Sequence, residues 1–278
     1  RPDKCTACSK CFTVCPDSAI PGLVNSISSV FDATIKRVSK AGHEVKLLPN
    51  AVRTVEKLMR GMVTSREDNS IDTAPLLEKA IAQTITESNG EGKALEEEFG
   101  WFREAIGDFK FALTKPYFAQ REKAQPGSGG LFAITVNPYT CKGCMLCVDV
   151  CDDNALEVME QTPESIGNLQ QDWDFWLDLP NTPKDFIRID DMDEKIGALE
   201  TMLLDKSVYQ SMVCGDGACT GCGEKSVLHI FTSTLTALMQ PRVKKQVARL
   251  EDLIARLENH IRSKLAETVD IDDLPAIQ

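Results

Sequence analysis

Cys5-Thr6-Ala7-Cys8-Ser9-Lys10-Cys11-Phe12-Thr13-Val14-Cys15-Pro16 and Cys141-Lys142-Gly143-Cys144-Met145-Leu146-Cys147-Val148-Asp149-Val150-Cys151-Asp152 both read C-x2-C-x2-C-x3-C. Three cysteines two residues apart sit on a tight loop that turns their sulfurs to one side and aims backbone N–H groups the same way. The fourth, at the start of a short helix, points the other way. Scattered cysteines suggest disulfides or core thiols, whereas tight groups suggest metal. Structural zinc usually takes two C-x2-C pairs separated by a longer spacer, which these runs fit poorly.

The spacing resembles that of bacterial ferredoxins with two [4Fe–4S] clusters, in which the fourth cysteine of each run ligates the other cluster. On that pattern Cys5, Cys8, Cys11 and Cys151 hold cluster A, and Cys141, Cys144, Cys147 and Cys15 hold cluster B. The crossing staples two parts of the chain separated by residues 16–140. Asp152 stands where the second motif would carry the usual Pro, a turn-shaping position and not a ligand one. Gly143 supplies a small residue where the backbone must approach a cluster. The flanks agree: Leu131–Val136 reads as a strand entering the second motif, Ala155–Met159 as a strand leaving it, and Ser18-Ala19-Ile20 as a short counterpart after the first.

The chain has 278 residues, eleven cysteines and a net charge of −11. That charge argues against nucleic acid or an anionic membrane surface as partner. No apolar run reaches the ~18 residues of a membrane span and no signal peptide is visible. Thiolate ligands need a reducing compartment, so a cytoplasmic location is expected. The start, Arg1-Pro2-Asp3 without Met, reads as a piece of a longer polypeptide.

Residues 21–130 read as a helical insertion. Leu23, Ile27, Val30, Phe31, Ile35 and Val38 mark one amphipathic face; Val52, Val55, Leu58, Met59 and Met62 a second; Leu76, Leu77, Ala80, Ile81 and Ile85 a third, with Thr73 as N-cap and Pro75 in the first turn. Asn89-Gly90 breaks the pattern, and a fourth helix runs from Lys93 to Leu113. Gln125–Gly130 is a flexible return. Trp101, Phe102, Phe109 and Phe111 read as bundle core, with an interaction surface as the alternative. His43 reads as a lone exposed histidine without a ligand role. The insertion as a whole is expected to dock or cover.

The third cysteine group, Cys214, Cys219 and Cys222, cannot fill a four-cysteine site. Its run Gly217-Ala218-Cys219-Thr220-Gly221-Cys222-Gly223-Glu224 resembles the start of the thiamine-diphosphate-binding domain of pyruvate:ferredoxin (flavodoxin) oxidoreductases, members of the 2-oxoacid:acceptor oxidoreductases. The order of parts is similar too. A two-cluster ferredoxin domain comes first, then a linking stretch (aromatic-rich Asn168–Pro180, then Leu203–Met212), then this element. The resemblance covers residues 1–20 and about 131–238. It implies that Cys219 and Cys222 are two ligands of a third [4Fe–4S] cluster next to the thiamine, and that Glu224 contacts the thiamine. The remaining ligands of that cluster lie elsewhere in the family. Cys214 reads as a free thiol beside it, with a substitute ligand as the alternative. Gly215-Asp216-Gly217 is a decoy for the Mg-diphosphate motif, because no Asn follows at the required spacing. After a helix from Ser226 to Met239 the chain departs from the family. Val243, Val247, Leu250, Ile254, Leu257, Ile261 and Leu265 then share one face, suggesting a helical hairpin arm or a coiled-coil contact; His260 reads as solvated.

The expected fold is α+β. A ferredoxin-like module (1–20 plus 131–160) is interrupted by the insertion (21–130). A linking segment (161–213) follows, then an α/β thiamine-domain start (214–278) with a helical arm over 243–268. The expected function is electron relay within a 2-oxoacid oxidoreductase, most simply one for pyruvate, with no catalytic residue in this stretch. The resemblance implies thiamine diphosphate and Mg in the parent enzyme. It also implies coenzyme A and a 2-oxoacid as substrates, ferredoxin or flavodoxin as acceptor, and a parent homodimer. The rival reading is a polyferredoxin subunit of another redox complex without thiamine.

Overall fold

Gly22–Ser26 (GLVNS, β1) and Gly130–Ile134 (GLFAI, β4) are short runs buried along all but their last residue, as expected of strands covered on both faces. They pair antiparallel, Gly22 opposite Ile134 through Ser26 opposite Gly130. Their alternation sends Leu23, Leu131 and Ala133 into one apolar core and Val24 and Phe132 into another. The computed structural model that shows this describes residues 1–63, 70–88, 92–187, 201, 203–212 and 223–268. The chain divides into two units, Arg1–Cys222 and Gly223–Gln278.

In the first unit a four-stranded sheet runs in the order β1-β4-β3-β2, where β2 is Ser70–Asp72 and β3 is Ala112–Thr114. One face carries the helices α2 (Ile27–Lys40), α3 (Leu48–Val63), α4 (Ala74–Glu87) and α5 (Gly92–Ile106). The other carries the cysteine motifs with their short helices α1 (Lys10–Val14) and α7 (Leu146–Asp149). A π-helical turn at Lys115–Ala119 and the helix α6 (Gln120–Ala124) join β3 to β4, and the turn carries Tyr117 into the cysteine-side core. Then come α8 (Pro163–Asp178), α9 (Lys184–Ile187) and α10 (Lys206–Met212). Thr182 closes the open edge of β1 by accepting the Val24 N–H at 3.0 Å, and the Asn25 side chain donates to Pro180 O. The middle N–H of that edge is thus satisfied within the chain.

Three expectations need correction. The insertion is not purely helical. Leu23 lies in β1, the fourth helix stops at Ile106, and residues 112–114 form β3. A helix there would strand the backbone donors of β4, which β1 and β3 satisfy on its two sides. Ala155–Met159 is not a strand; Val158 and Met159 are exposed, with no sheet neighbour. The helix expected to end at Met239 and the arm after it are one helix, α11 (Gly223–Thr268), which passes through Pro241. Pro241 is exposed, so water can satisfy the carbonyl whose donor it removes.

Thr73 precedes α4 as expected, but its hydroxyl donates to Phe111 O at 3.2 Å while Asp72 accepts the Ala74 N–H. Phe102, Phe109 and Phe111 are core residues, and Trp101 stacks on His43 with centroids 4.4 Å apart. Glu98, buried on α5, accepts the backbone N–H groups of Lys46, Leu47 and Leu48 and so caps α3 from a distance. In the second unit, Val243, Val247, Leu250, Ile254, Leu257 and Ile261 are exposed along α11, as is His260. Among the described residues no helix is long and apolar enough to cross a membrane.

Candidate functional site

The first cysteine motif ends just before β1, and the second begins just after β4. Antiparallel pairing therefore brings both to one end of the sheet. The ladder continues past the strands: Thr135 N–H donates to Pro21 O and Asn137 N–H to Ala19 O, the latter at 2.7 Å. Asn137 O in turn accepts the Cys141 N–H at 3.0 Å. Residues remote in sequence are thus zipped together up to the first cysteine of the second motif.

The two loops repeat each other in backbone. Ala7 and Gly143 have φ of 60° and 64°, Ser9 and Met145 of 68° and 65°, and Ser18 and Asn154 of 47° and 50°. Each pair stands at the same offset from the first cysteine of its motif. Left-handed residues alternating with ordinary ones turn successive N–H groups to one side, a concavity suited to an anion. Five of the six are not glycine, and each costs about 1–2 kcal/mol in that conformation.

Cys5, Cys8, Cys11 and Cys151 line a single cavity, with Phe132, Ile134 and Ala155 among its walls. Cys15, Cys141 and Cys144 lie near enough to the Cys147 thiol to raise it beyond the effect of burial. The eight cysteines form no disulfides. Burial pushes the Cys5 thiol up to about 11, and it raises Cys11 and Cys147 as well, with neighbouring cysteines adding to the effect. Thiols so placed are protonated at neutral pH, and iron would take them as thiolates with release of protons. Both groups of four soft donors, beside converging N–H groups, suit a [4Fe–4S] cluster. The two points differ in access: Cys141 and Cys144 are exposed, whereas the four around the cavity are partly buried.

Several contacts tie the second motif's exit to the first. The Arg1 guanidinium pairs with Glu157 at 2.8 Å. The Thr6 hydroxyl donates to Asp153 at 2.6 Å. Lys10 pairs with Asp152, holding its carboxyl below the usual range. The residue that replaces the motif's Pro therefore has its own work, joining the two loops. Sequence reading missed these partners because nothing local marks a pair so far apart. Also missed was Tyr209 on α10, buried against Trp173 and Trp176. Cys214, Cys219 and Cys222 lie outside the described residues, as does the side chain of Glu224.

Residues 134–157 match the 4Fe-4S binding domain family. The chain is 29% identical over 125 residues to a pyruvate dehydrogenase [NADP(+)] of Cryptosporidium parvum, covering 45% of this chain and 6% of that protein. It is 30% identical over 130 residues to the mitochondrial pyruvate dehydrogenase [NADP(+)] of Euglena gracilis, covering 46% and 6%. It is 30% identical over 110 residues to a pyruvate-flavodoxin oxidoreductase of Nostoc sp., covering 36% and 8%. The chain thus spans less than a tenth of the length of each of these relatives. No solved structure matches at a significant level. The chain carries a 4Fe-4S binding domain over residues 134–157, and a segment of it is homologous to part of the pyruvate-flavodoxin oxidoreductases and pyruvate dehydrogenases [NADP(+)].

Proposed function

We propose that this chain is the electron-relay segment of a 2-oxoacid oxidoreductase acting on pyruvate, with Cys5, Cys8, Cys11 and Cys151 holding cluster A and Cys141, Cys144, Cys147 and Cys15 holding cluster B. The observation that carries the reading is the crosswise grouping. Cys5, Cys8, Cys11 and Cys151 line one cavity, and Cys15, Cys141 and Cys144 act together on the Cys147 thiol, which supports three sulfurs of each motif being joined by the fourth of the other. When bound, [4Fe–4S] clusters supply one-electron storage at potentials set by charge, hydrogen bonding and exposure. The chain's residues do the rest. Phe132, Ile134 and Ala155 keep water from the first site. The left-handed loop positions direct backbone N–H groups inward. The antiparallel zipper fixes the spacing between the sites. The acidic balance of −11 disfavours added negative charge and so favours low potentials.

The similarity to pyruvate-flavodoxin oxidoreductases supports ferredoxin or flavodoxin as acceptor and a larger, dimeric parent in which thiamine diphosphate, Mg and coenzyme A act. In that parent Cys219 and Cys222 are two ligands of a third cluster, Glu224 contacts the thiamine, and Cys214 is a free thiol. On this reading residues 1–20 and 131–160 are the cluster module, and 214–278 begin the thiamine domain.

The test is iron and acid-labile sulfide per chain after anaerobic reconstitution, with EPR of the dithionite-reduced protein. About eight irons in two spin-coupled centres support the reading. About twelve make Cys214 a ligand of a completed third site. Bound zinc with little iron rejects electron transfer.

A further inference from the structure

From Val243 to Ile261 the helix α11 places an apolar residue at alternating intervals of four and three: Val243, Val247, Leu250, Ile254, Leu257 and Ile261. That is the a/d seam of a heptad, the spacing by which two helices wind around each other. All six are exposed, by 46% to 59%, and Leu253 beside them by 44%. The opposite face carries Lys245, Arg249, Asp252, Arg256 and Asn259. The seam ends in polar residues, with Gln240 at the next seam position on one side and Lys264 on the other. A bounded apolar stripe on an otherwise polar helix suits one covering helix.

The flanking positions identify that helix. In a parallel pair each seam residue meets its own copy, which sets Lys264 against Lys264. It also sets Leu253 against Glu258, and no flanking pair joins opposite charges. An antiparallel pair centred between Leu250 and Ile254 removes these conflicts. Leu250 then faces Ile254, Val247 faces Leu257 and Val243 faces Ile261, while Gln240 faces Lys264 at both ends. On one flank Lys244 faces Glu258 twice, against a single like-charge meeting of Glu251 with its copy. On the other flank Leu253 meets Leu253 at the midpoint and widens the apolar strip there. A sequence that matches its own reverse in this way fits an isologous contact about a twofold axis.

We propose that residues 240–264 of α11 form an antiparallel two-stranded coiled coil with the same segment of a second copy of this chain, Leu253 against Leu253 at its centre. The occupant is a second copy because the pairing of Lys244 with Glu258 at both ends, and the meeting of Leu253 with itself, need the same sequence on both sides. The seam supplies the attraction, and the flanking charges choose direction and register. The contact depends neither on the cluster ligands nor on the chemistry of a parent enzyme.

The experiment is sedimentation equilibrium of the anaerobically reconstituted full chain across the micromolar range. Wild type is compared with Ile254→Asp, Lys244→Glu, Glu258→Lys and the Lys244→Glu/Glu258→Lys double variant. The expected wild type is a monomer–dimer equilibrium. Ile254→Asp, which puts a carboxylate in the seam, should weaken it on the order of a hundredfold or more. Each single charge reversal turns two attractive pairs repulsive and should weaken it roughly tenfold. The double variant restores both pairs and should return to within about twofold of wild type, since the two sites are too far apart along one helix to couple directly. All substituted positions are exposed, so an iron content equal to wild type shows that the rest of the chain is intact. A wild type that stays monomeric overturns the proposal and leaves the seam to a helix of different sequence. A dimer that survives Ile254→Asp overturns it too, as does a double variant as weak as its two single changes combined.

Discussion

Cys15 Sγ accepts the backbone N–H of Ala19 at 3.2 Å, a bond that ties the last cysteine of its motif to the turn that follows it. Cys151 and Ala155 repeat it at the same distance. Both fourth cysteines are thus oriented by their own turns, away from the loops that precede them. Cys15→Ser should remove the centre held by Cys141, Cys144 and Cys147 and spare the other. Iron should fall from about eight to about four per chain. Loss of the centre built on Cys5, Cys8 and Cys11 instead would reverse the assignment.

Access predicts an order of decay. Cys141 and Cys144 are exposed, while Cys5, Cys8, Cys11 and Cys151 surround a cavity walled by Phe132 and Ile134. An iron chelator added to the oxidised protein should strip cluster B first. Following chelated iron beside the EPR of samples reduced at intervals checks this, and simultaneous loss would contradict it.

Ala7 and Gly143 occupy the same left-handed position in the two loops, with φ of 60° and 64°. Gly143→Ala meets no close neighbour, so its cost should be conformational only, about 1 kcal/mol. Ala7→Gly should relieve a similar strain, offset in part by the greater freedom of unfolded glycine. Urea unfolding of the two loaded variants should show midpoints moving in opposite directions.

Glu98 spends its buried carboxylate on three consecutive N–H groups at the start of α3. Glu98→Ala should destabilise the first unit by about 2–3 kcal/mol, because the buried Leu48 N–H and the partly buried Leu47 N–H lose their carboxylate acceptor. Thermal unfolding read by circular dichroism checks it. A change below about 0.5 kcal/mol, typical of a surface site, would mean that water replaces the carboxylate.

Lys206 lies over the Trp176 ring, 4.4 Å from its centroid, and burial lowers its pKa to about 8 against a weaker opposing pull from Asp178. The unfolded lysine keeps its ordinary value near 10.4. Between those values the unfolded chain binds more protons, so this group makes stability rise with pH from about 8 to about 10. Below 8 both states are charged and its contribution is flat. Lys206→Met should abolish that rise. Comparing denaturant midpoints of the two proteins across the window isolates the term.

The eight cysteines and the strand at β4 were legible because each is a local pattern: fixed spacing in one case, a short apolar run in the other. Leu23 was misread as helical because the following Ile27, Val30 and Phe31 continue its spacing, and only pairing with β4 shows where the strand ends. Ala7, Ser9 and Met145 gave no sign of their backbone, since glycine is the usual marker and only Gly143 carries it. Asp152 was legible as a departure, but its partner Lys10 was not.

The long separation between the motifs also bears on how the chain matures. Residues 5–15 leave the ribosome well before residues 141–151, and until then neither cluster can have a full ligand set. The sheet that brings the motifs together includes strands from within the intervening stretch, so that stretch must fold before iron can be retained. A lesion in the helical layer, remote from every sulfur, should therefore emerge in cells as an iron-poor protein before it emerges as an unfolded one.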